Sequence, residues 1–216
     1  MKAAIRLAAL VLFMITAMAV ATADAAAPEE GRDYKPVNPP QATKSGDRIE
    51  VLEIFWYGCP HCYQFEPKLR EWLAHKPEDV EFRRMPAIFR EAWVPAAKAY
   101  FTAEALGMLD QFHAAAFNAI HEKKRKFPTA EAWAELFAEL GVSRDDFAAA
   151  YDSFTVDGKW REAAQLSQAY GIAGVPALVI NGRYQTSGGM ADSYEDLLKT
   201  VDALIAKARQ ESAPKP

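Results

Sequence analysis

Hydrophobic and polar positions change period several times along this chain, and each change marks an element. Lys2 and Arg6 open it, Leu7 to Val20 follows without a charge, and the small-residue stretches Ala21-Thr22-Ala23 and Ala25-Ala26-Ala27 come next. A positive start, a short apolar run and Ala-x-Ala sites predict a secretory signal peptide over 1–25, cleaved between 23 and 27. A membrane anchor is the alternative, but the run is shorter than the roughly 20 residues a spanning helix needs. The absence of a cysteine near the cleavage site excludes a lipid anchor on a new N-terminal cysteine. Pro28 to Asp47, with Pro36, Pro39, Pro40 and Gly46, reads as an arm leading into the folded chain.

From Arg48 to Tyr57 the residues Ile49, Val51, Leu52, Ile54, Phe55, Trp56 and Tyr57 form a nearly continuous β-favouring run that Glu53 interrupts. That is the pattern of a central strand covered on both faces. Cys59-Pro60-His61-Cys62 follows, then helical spacing through Phe65, Leu69, Trp72 and Leu73, then a second strand from Val80 to about Ala87. The three make a β-α-β unit. From Ala92 to Phe154 the period is helical: one helix ends near Leu106-Gly107, a second carries Phe112, Ala116, Phe117 and Ile120, and a third carries Trp133, Leu136, Phe137 and Leu140. Ser143 with Asp146 resembles a capping box ahead of Phe147, Tyr151 and Phe154. After Gly158 a helix with Trp160 and Leu166 runs to Tyr170, followed by the strand Ala177 to Ile180, the Asn181-Gly182 turn, a short strand from Arg183 and a closing helix from Ser193. The chain therefore divides into an α/β domain in two parts, 28–88 and 156–216, with an all-helical insertion at 89–155.

Composition narrows the function. With 216 residues, 50% hydrophobic, 25% charged and 12% aromatic, the chain is of ordinary globular type, which excludes disordered, collagen-like and coiled-coil readings. Its net charge of −4, or −5 once Lys2, Arg6 and Asp24 are cleaved away, lacks the basic excess that nucleic-acid binding needs. About 190 residues then remain, enough to bury roughly 70% of the unfolded chain's surface. Two cysteines cannot staple so long a chain, so their close spacing points to chemistry.

Cys59 and Cys62 at a helix start lie about one turn apart and can close a small ring. With Cys59 at the cap, its sulfur faces free backbone N–H groups and the positive end of the helix dipole, which favour a thiolate. Pro60 suits the first helical position, and His61 adds a donor or a charge beside the sulfur. Competing readings are weaker. A zinc site would need ligands beyond His75, His113 and His121, none of which has knuckle spacing. A c-type haem site needs His where Tyr63 stands. A purely structural disulfide closing so short a loop would constrain the unfolded chain little. Two other residues read ambiguously on their own: Glu53 as an exposed strand acid paired with Arg83 or Arg84, and Val175-Pro176 as a trans proline opening a strand. The run from His121 to Lys126, with Lys123, Lys124, Arg125 and Lys126, reads as a solvated helix end.

Val51-Leu52-Glu53-Ile54-Phe55 leading into Cys59-Pro60-His61-Cys62-Tyr63-Gln64-Phe65-Glu66, with Gly174-Val175-Pro176-Ala177 and Asn181-Gly182-Arg183-Tyr184 downstream, resembles the DsbA family of exported thiol:disulfide oxidoreductases. Trp56-Tyr57-Gly58 departs from the bulkier aromatic run of the enterobacterial form, a difference at the local substrate surface. The resemblance implies a thioredoxin fold with an inserted helical domain. It further implies a cis bond before Pro176 that presents Val175 to an incoming peptide, Glu53 buried beneath the disulfide as a proton partner of the inner cysteine, and Glu66 and Arg84 as accompanying charges. On this reading the protein is a monomeric periplasmic enzyme with no cofactor beyond the Cys59–Cys62 disulfide and no metal. Reduced secreted proteins are its substrates, and a DsbB-like, quinone-linked membrane oxidase reoxidises it. A reductase or isomerase on the same fold is one alternative, although the dimeric isomerases carry an N-terminal dimerisation domain that this short arm does not supply. A non-catalytic binding protein is the other.

Overall fold

The computed structural model describes residues 27–212, so the predicted signal peptide lies outside the described residues. Five strands, β1 (Lys35–Pro36), β2 (Ile49–Phe55), β3 (Val80–Pro86), β4 (Ala177–Ile180) and β5 (Tyr184–Ser187), form one sheet in the order β1-β5-β4-β2-β3. The β2–β3 pair is parallel and the other pairs are antiparallel. Helix α1 (Pro60–Leu73) crosses over between β2 and β3, completing the β-α-β unit. All seven residues of β2 are buried, as the nearly continuous apolar run requires of a central strand.

Alternation along β2 divides its side chains between two cores. Ile49 and Val51 join Phe65 and Leu69 of α1, Leu178 and Ile180 of β4, and Leu197 and Leu204 of the closing helix. Leu52 and Ile54 join Val179 and the aromatic interior of the helical block, including Phe112, Trp133 and Phe137. Burying one such apolar side chain contributes about 1.5–3 kcal/mol. Glu53 falls in the row of Val51, and because that row packs against α1 the carboxylate forgoes that gain and bears a desolvation cost.

Between β3 and β4 come α2 (Val94–Ala105), α3 (Leu109–His121), α4 (Ala130–Glu139), α5 (Arg144–Tyr151) and α6 (Phe154–Ala169), and α7 (Tyr194–Ser212) closes the chain. Thr129, Ser143 and Ser153 cap α4, α5 and α6, each side chain accepting a backbone N–H three residues on. The Ser153 cap corrects the sequence reading. Phe154 does not extend the helix of Phe147 and Tyr151; it opens α6, is 92% exposed, and precedes Gly158, which the helix carries inside it. A boundary at 155/156 thus falls within one helix. The arm also holds more order than its composition suggested, because Lys35–Pro36 pairs with β5 and Tyr34 and Val37 are buried. At the predicted turn, Asn181 and Gly182 have φ of 50° and 65°, and the Arg183 N–H bonds the Ile180 carbonyl at 3.0 Å. A Cβ on Gly182 would lie 2.1 Å from the Gln41 carbonyl oxygen, so both the turn and the approach of the arm require glycine. Arg183 stays in the turn and the strand begins at Tyr184. The architecture is the thioredoxin fold with a helical insertion.

Candidate active site

Beyond Phe55 the chain turns through Trp56, Tyr57 and Gly58, and the Cys59 N–H closes that turn on the Trp56 carbonyl at 2.9 Å. Cys59 then stands at the N-cap of α1 with extended backbone, and Pro60 occupies the first helical position, where an N–H would have had no helical partner. Cys59 is 8% exposed and Cys62 is wholly buried; both are free thiols.

One helical turn makes these two sulfurs chemically unlike. The Cys59 thiol is lowered to about 6, chiefly by the Cys62 S–H donating to it, with the backbone N–H groups of Cys62 and His61 and the His61 charge assisting against desolvation. Burial raises the Cys62 thiol far above its ordinary range, and its own hydrogen bond to Cys59 and the negative charges of Cys59 and Glu53 raise it further. A pair arranged this way can offer a reactive outer thiolate while keeping the inner sulfur protonated.

Across from the helix start, the Val175–Pro176 peptide is cis, which replaces the trans reading of the isolated residues, and the Cys59 S–H donates to the Val175 carbonyl at 3.4 Å. The Pro176 carbonyl accepts the Gly188 N–H at 3.1 Å, tying this loop to the end of β5. His61 is exposed and, with Val175, Pro176, Gly188 and Tyr194, lines a groove of about 440 Å³. Tyr194 was not legible as a site residue, yet its hydroxyl donates to the His61 carbonyl at 3.0 Å and braces the first turn of α1.

Glu53 is 1% exposed, which corrects the reading of an exposed strand acid while keeping its pairing with Arg84. Arg84 Nε donates to Glu53 Oε2 at 2.8 Å, and Glu53 Oε1 is buried with no partner among the described residues. Burial pushes this carboxyl up to about 7, with the Arg84 charge opposing. Glu66, one helical turn beyond Cys62, behaves differently. It accepts from His113 Nε2 at 3.0 Å and from Arg84 Nη2 at 3.3 Å, and these donors outweigh desolvation and hold its carboxyl below the usual range. Because an ionised Glu66 takes the Nε2 proton's hydrogen bond, His113 Nδ1 is the acceptor for the Tyr57 hydroxyl at 3.1 Å.

His113 and His121 both escaped sequence reasoning. The signal available for His113 was a single polar residue beside Phe112 and Phe117 on a buried helix. His121 is part of no solvated helix end: its Nε2 donates to the Tyr57 carbonyl at 2.7 Å, and its ring stacks on Tyr63 at 4.8 Å. Among the described residues no group of three His, Cys, Asp or Glu side chains could hold a metal ion, and no helix is long and apolar enough to cross a membrane.

Residues 84–202 match the family described as the DSBA-like thioredoxin domain. The thiol:disulfide interchange protein DsbA of Azotobacter vinelandii is 42% identical over 179 residues, 83% of this chain and 84% of that protein. DsbA of Burkholderia cepacia is 36% identical over 204 residues, 94% of this chain and 96% of that one. The crystal structure of Pseudomonas aeruginosa DsbA superposes with a TM-score of 0.81 at 38% identity, covering 86% of this chain and 96% of that chain. Likeness over most of both sequences, on a shared fold, leads to one assignment: the chain belongs to the DsbA family of thiol:disulfide interchange proteins.

Proposed function

We propose that the protein is a dithiol oxidase that donates a Cys59–Cys62 disulfide to reduced proteins. The observation that carries this reading is the asymmetry of the pair, with Cys59 at the helix cap facing the cis loop and Cys62 buried where the Glu53 charge acts on it. A substrate thiolate attacks Cys59 Sγ, the Cys59–Cys62 bond breaks, and its electron pair leaves on the Cys62 sulfur. Cys62 takes a proton from Glu53, whose carboxyl titrates near neutrality and can both give and recover that proton. The substrate's second thiolate then attacks its own sulfur in the mixed disulfide and releases Cys59 as a thiolate. The substrate loses two electrons and two protons; the enzyme keeps one proton on Cys62 and the other goes to solvent.

Oxidising strength follows from the same geometry, in a direction well known for the DsbA family: the better the Cys59 thiolate is held, the more readily the disulfide is given up. His61 and the helix N-terminus favour the reduced state because their interactions with the thiolate vanish in the disulfide. Val175 and Pro176 supply the backbone edge against which the substrate peptide lies. Under this proposal a signal peptide at 1–25 exports the protein to the periplasm, where disulfides persist. The mature chain acts on reduced secreted proteins as a monomer, with thioredoxin-like parts at 28–88 and 156–216 around the insertion at 89–155, and a DsbB-like, quinone-linked membrane oxidase accepts its two electrons.

The test is to mix the oxidised protein with a reduced, unfolded secreted protein and count free thiols. Rapid stoichiometric transfer is expected, and Cys62→Ser, first charged by glutathione disulfide to carry glutathione on Cys59, should exchange it for a substrate cysteine, with glutathione leaving as the thiolate, and hold the substrate adduct because no Cys62 thiol can displace it. Absence of transfer, or an adduct on no cysteine of the pair, overturns the proposal.

A further inference from the structure

We infer that a slot beside Gly58, walled by two aromatic stacks, receives an aromatic side chain of the substrate polypeptide from an acidic stretch next to the cysteine that Cys59 attacks. This names the substrate class for the proposed oxidase and rests on that reading.

The slot encloses about 310 Å³ and shares no residue with the groove of His61 and Pro176. One wall is Trp56 lying face to face on Trp93, with ring centroids 4.1 Å apart and planes 7° from parallel; Phe89, 39% exposed, continues it beyond Trp93. The other wall is Phe127 stacked on Trp133 at 4.4 Å. Small residues, Gly58, Ala92 and Ala96, leave the space between them. Gly58 is what lets the first wall form, because a Cβ there would lie 2.4 Å from the Trp56 ring. The indole therefore lies flat across the backbone immediately before Cys59.

Size, shape and charge select the occupant. The volume sits at the lower end for small-molecule sites, roughly 300–1,000 Å³, and flat aromatic walls favour a ring packed between them. Two cations line the slot. The Arg125 guanidinium is met by Glu139 at 2.8 Å, whereas exposed Lys126 has no acidic partner among the described residues, and neither has neighbouring Lys123. On a chain whose net charge is −4, unmatched lysines at an apolar slot complement an acidic segment. Continuity supplies the geometry: a polypeptide joined through sulfur to Cys59 must pass over Gly58, so a residue near its cysteine reaches the slot.

The experiment compares oxidation of short dithiol peptides that carry Trp-Asp, Trp-Lys, Ser-Asp or Ser-Lys beside the first cysteine, on each side in turn, by wild type, Trp56→Ser, Ala96→Phe and Lys126→Glu, with the Trp-Asp to Ser-Lys ratio as the main readout. Wild type should favour one Trp-Asp placement about tenfold in kcat/KM. That ratio should fall to within twofold in Trp56→Ser, which removes a wall, and in Ala96→Phe, which fills the space. Lys126→Glu should retain the preference for Trp and lose that for Asp. A wild-type ratio within twofold for every placement, or a tenfold ratio that survives both slot variants, overturns the inference. Light scattering adds a further outcome: a wild-type dimer that Trp56→Ser dissociates would assign the slot to a second copy and likewise overturn it. Failure of wild type to oxidise any of the peptides would instead count against the oxidase reading itself.

Discussion

Removing the sulfhydryl donor of Cys62 should release the Cys59 thiolate from its strongest support. Cys59 stands at about 6 against an ordinary 9, so at pH 7 the folded thiol is about ten-to-one ionised while the unfolded chain's is almost wholly protonated. Linkage converts that difference into about 1.4 kcal/mol of stability for the reduced protein at pH 7. The folded value is the lower one, so this stabilisation is complete only above the unfolded value and is lost as pH falls through 6. A hydrogen bond to a charged group is worth about 1.5–3 kcal/mol, or roughly one to two pKa units. Cys62→Ala should therefore move Cys59 to about 7–8 and cut the contribution at pH 7 below about 0.5 kcal/mol. Cys62→Ser, which keeps a donor, should hold Cys59 near 6. The readouts are ultraviolet thiolate absorbance against pH and denaturant midpoints of the reduced proteins at pH 5 and pH 8. Pairwise pH dependence matters here, since losing a buried sulfur costs stability at any pH. A Cys62→Ala protein whose Cys59 still titrates near 6 would refute the reasoning and leave the helix terminus and His61 as the cause.

Other outcomes follow from the same geometry. Brief alkylation of the reduced protein at mildly acidic pH should label Cys59 and spare Cys62, as mass spectrometry of the two peptides would reveal; equal labelling contradicts the assigned roles. Glu53→Gln should slow disulfide transfer by about 100-fold and abolish the inflection near pH 7 in its rate, in line with loss of a general acid–base group; an unchanged pH–rate profile excludes Glu53 from proton transfer. His113→Phe leaves Glu66 short of a donor and should cost about 1–3 kcal/mol of stability near neutral pH, with a weaker fall toward acid, since the low Glu66 value stabilises only above the acid range. An unchanged acid limb would show that Arg84 alone holds Glu66. His61→Ser should make the protein less oxidising against glutathione without altering its fold, and equal potentials would remove His61 from the mechanism.

What the sequence made legible was what local rules decide. The apolar run of β2, Pro60 one residue after a capping position, and the two left-handed residues of the Asn181-Gly182 turn each follow from residue type and spacing. Phe154 misled because an exposed aromatic happens to fall at helical spacing from Tyr151, while the stop between them depends on Ser153 accepting a backbone N–H from the next helix. Lys35–Pro36 is too short to display a period and is a strand only because β5 runs beside it. The partners of His113 and His121 lie 56 and 64 residues back along the chain at Tyr57, and no local pattern encodes such a contact. Glu53 stood between these cases. Alternation identified its row, but whether that row faces solvent or α1 is a tertiary fact.

Glu66 and Glu53, both buried, show how donor number divides a carboxylate held ionised from one that can carry a proton. Glu66 stands further from Arg84 than Glu53 does, and His113 makes up the difference. Glu53 has Arg84 on one oxygen and, among the described residues, no donor on the other. A second donor there would hold the carboxylate ionised at neutral pH, with no proton to give Cys62; removal of Arg84 would leave it too basic to release one. Arg84 divides its guanidinium between Glu53 and Glu66, and His113 completes Glu66, which leaves the Glu53 carboxyl near 7, the value that the proposed proton transfer to Cys62 requires.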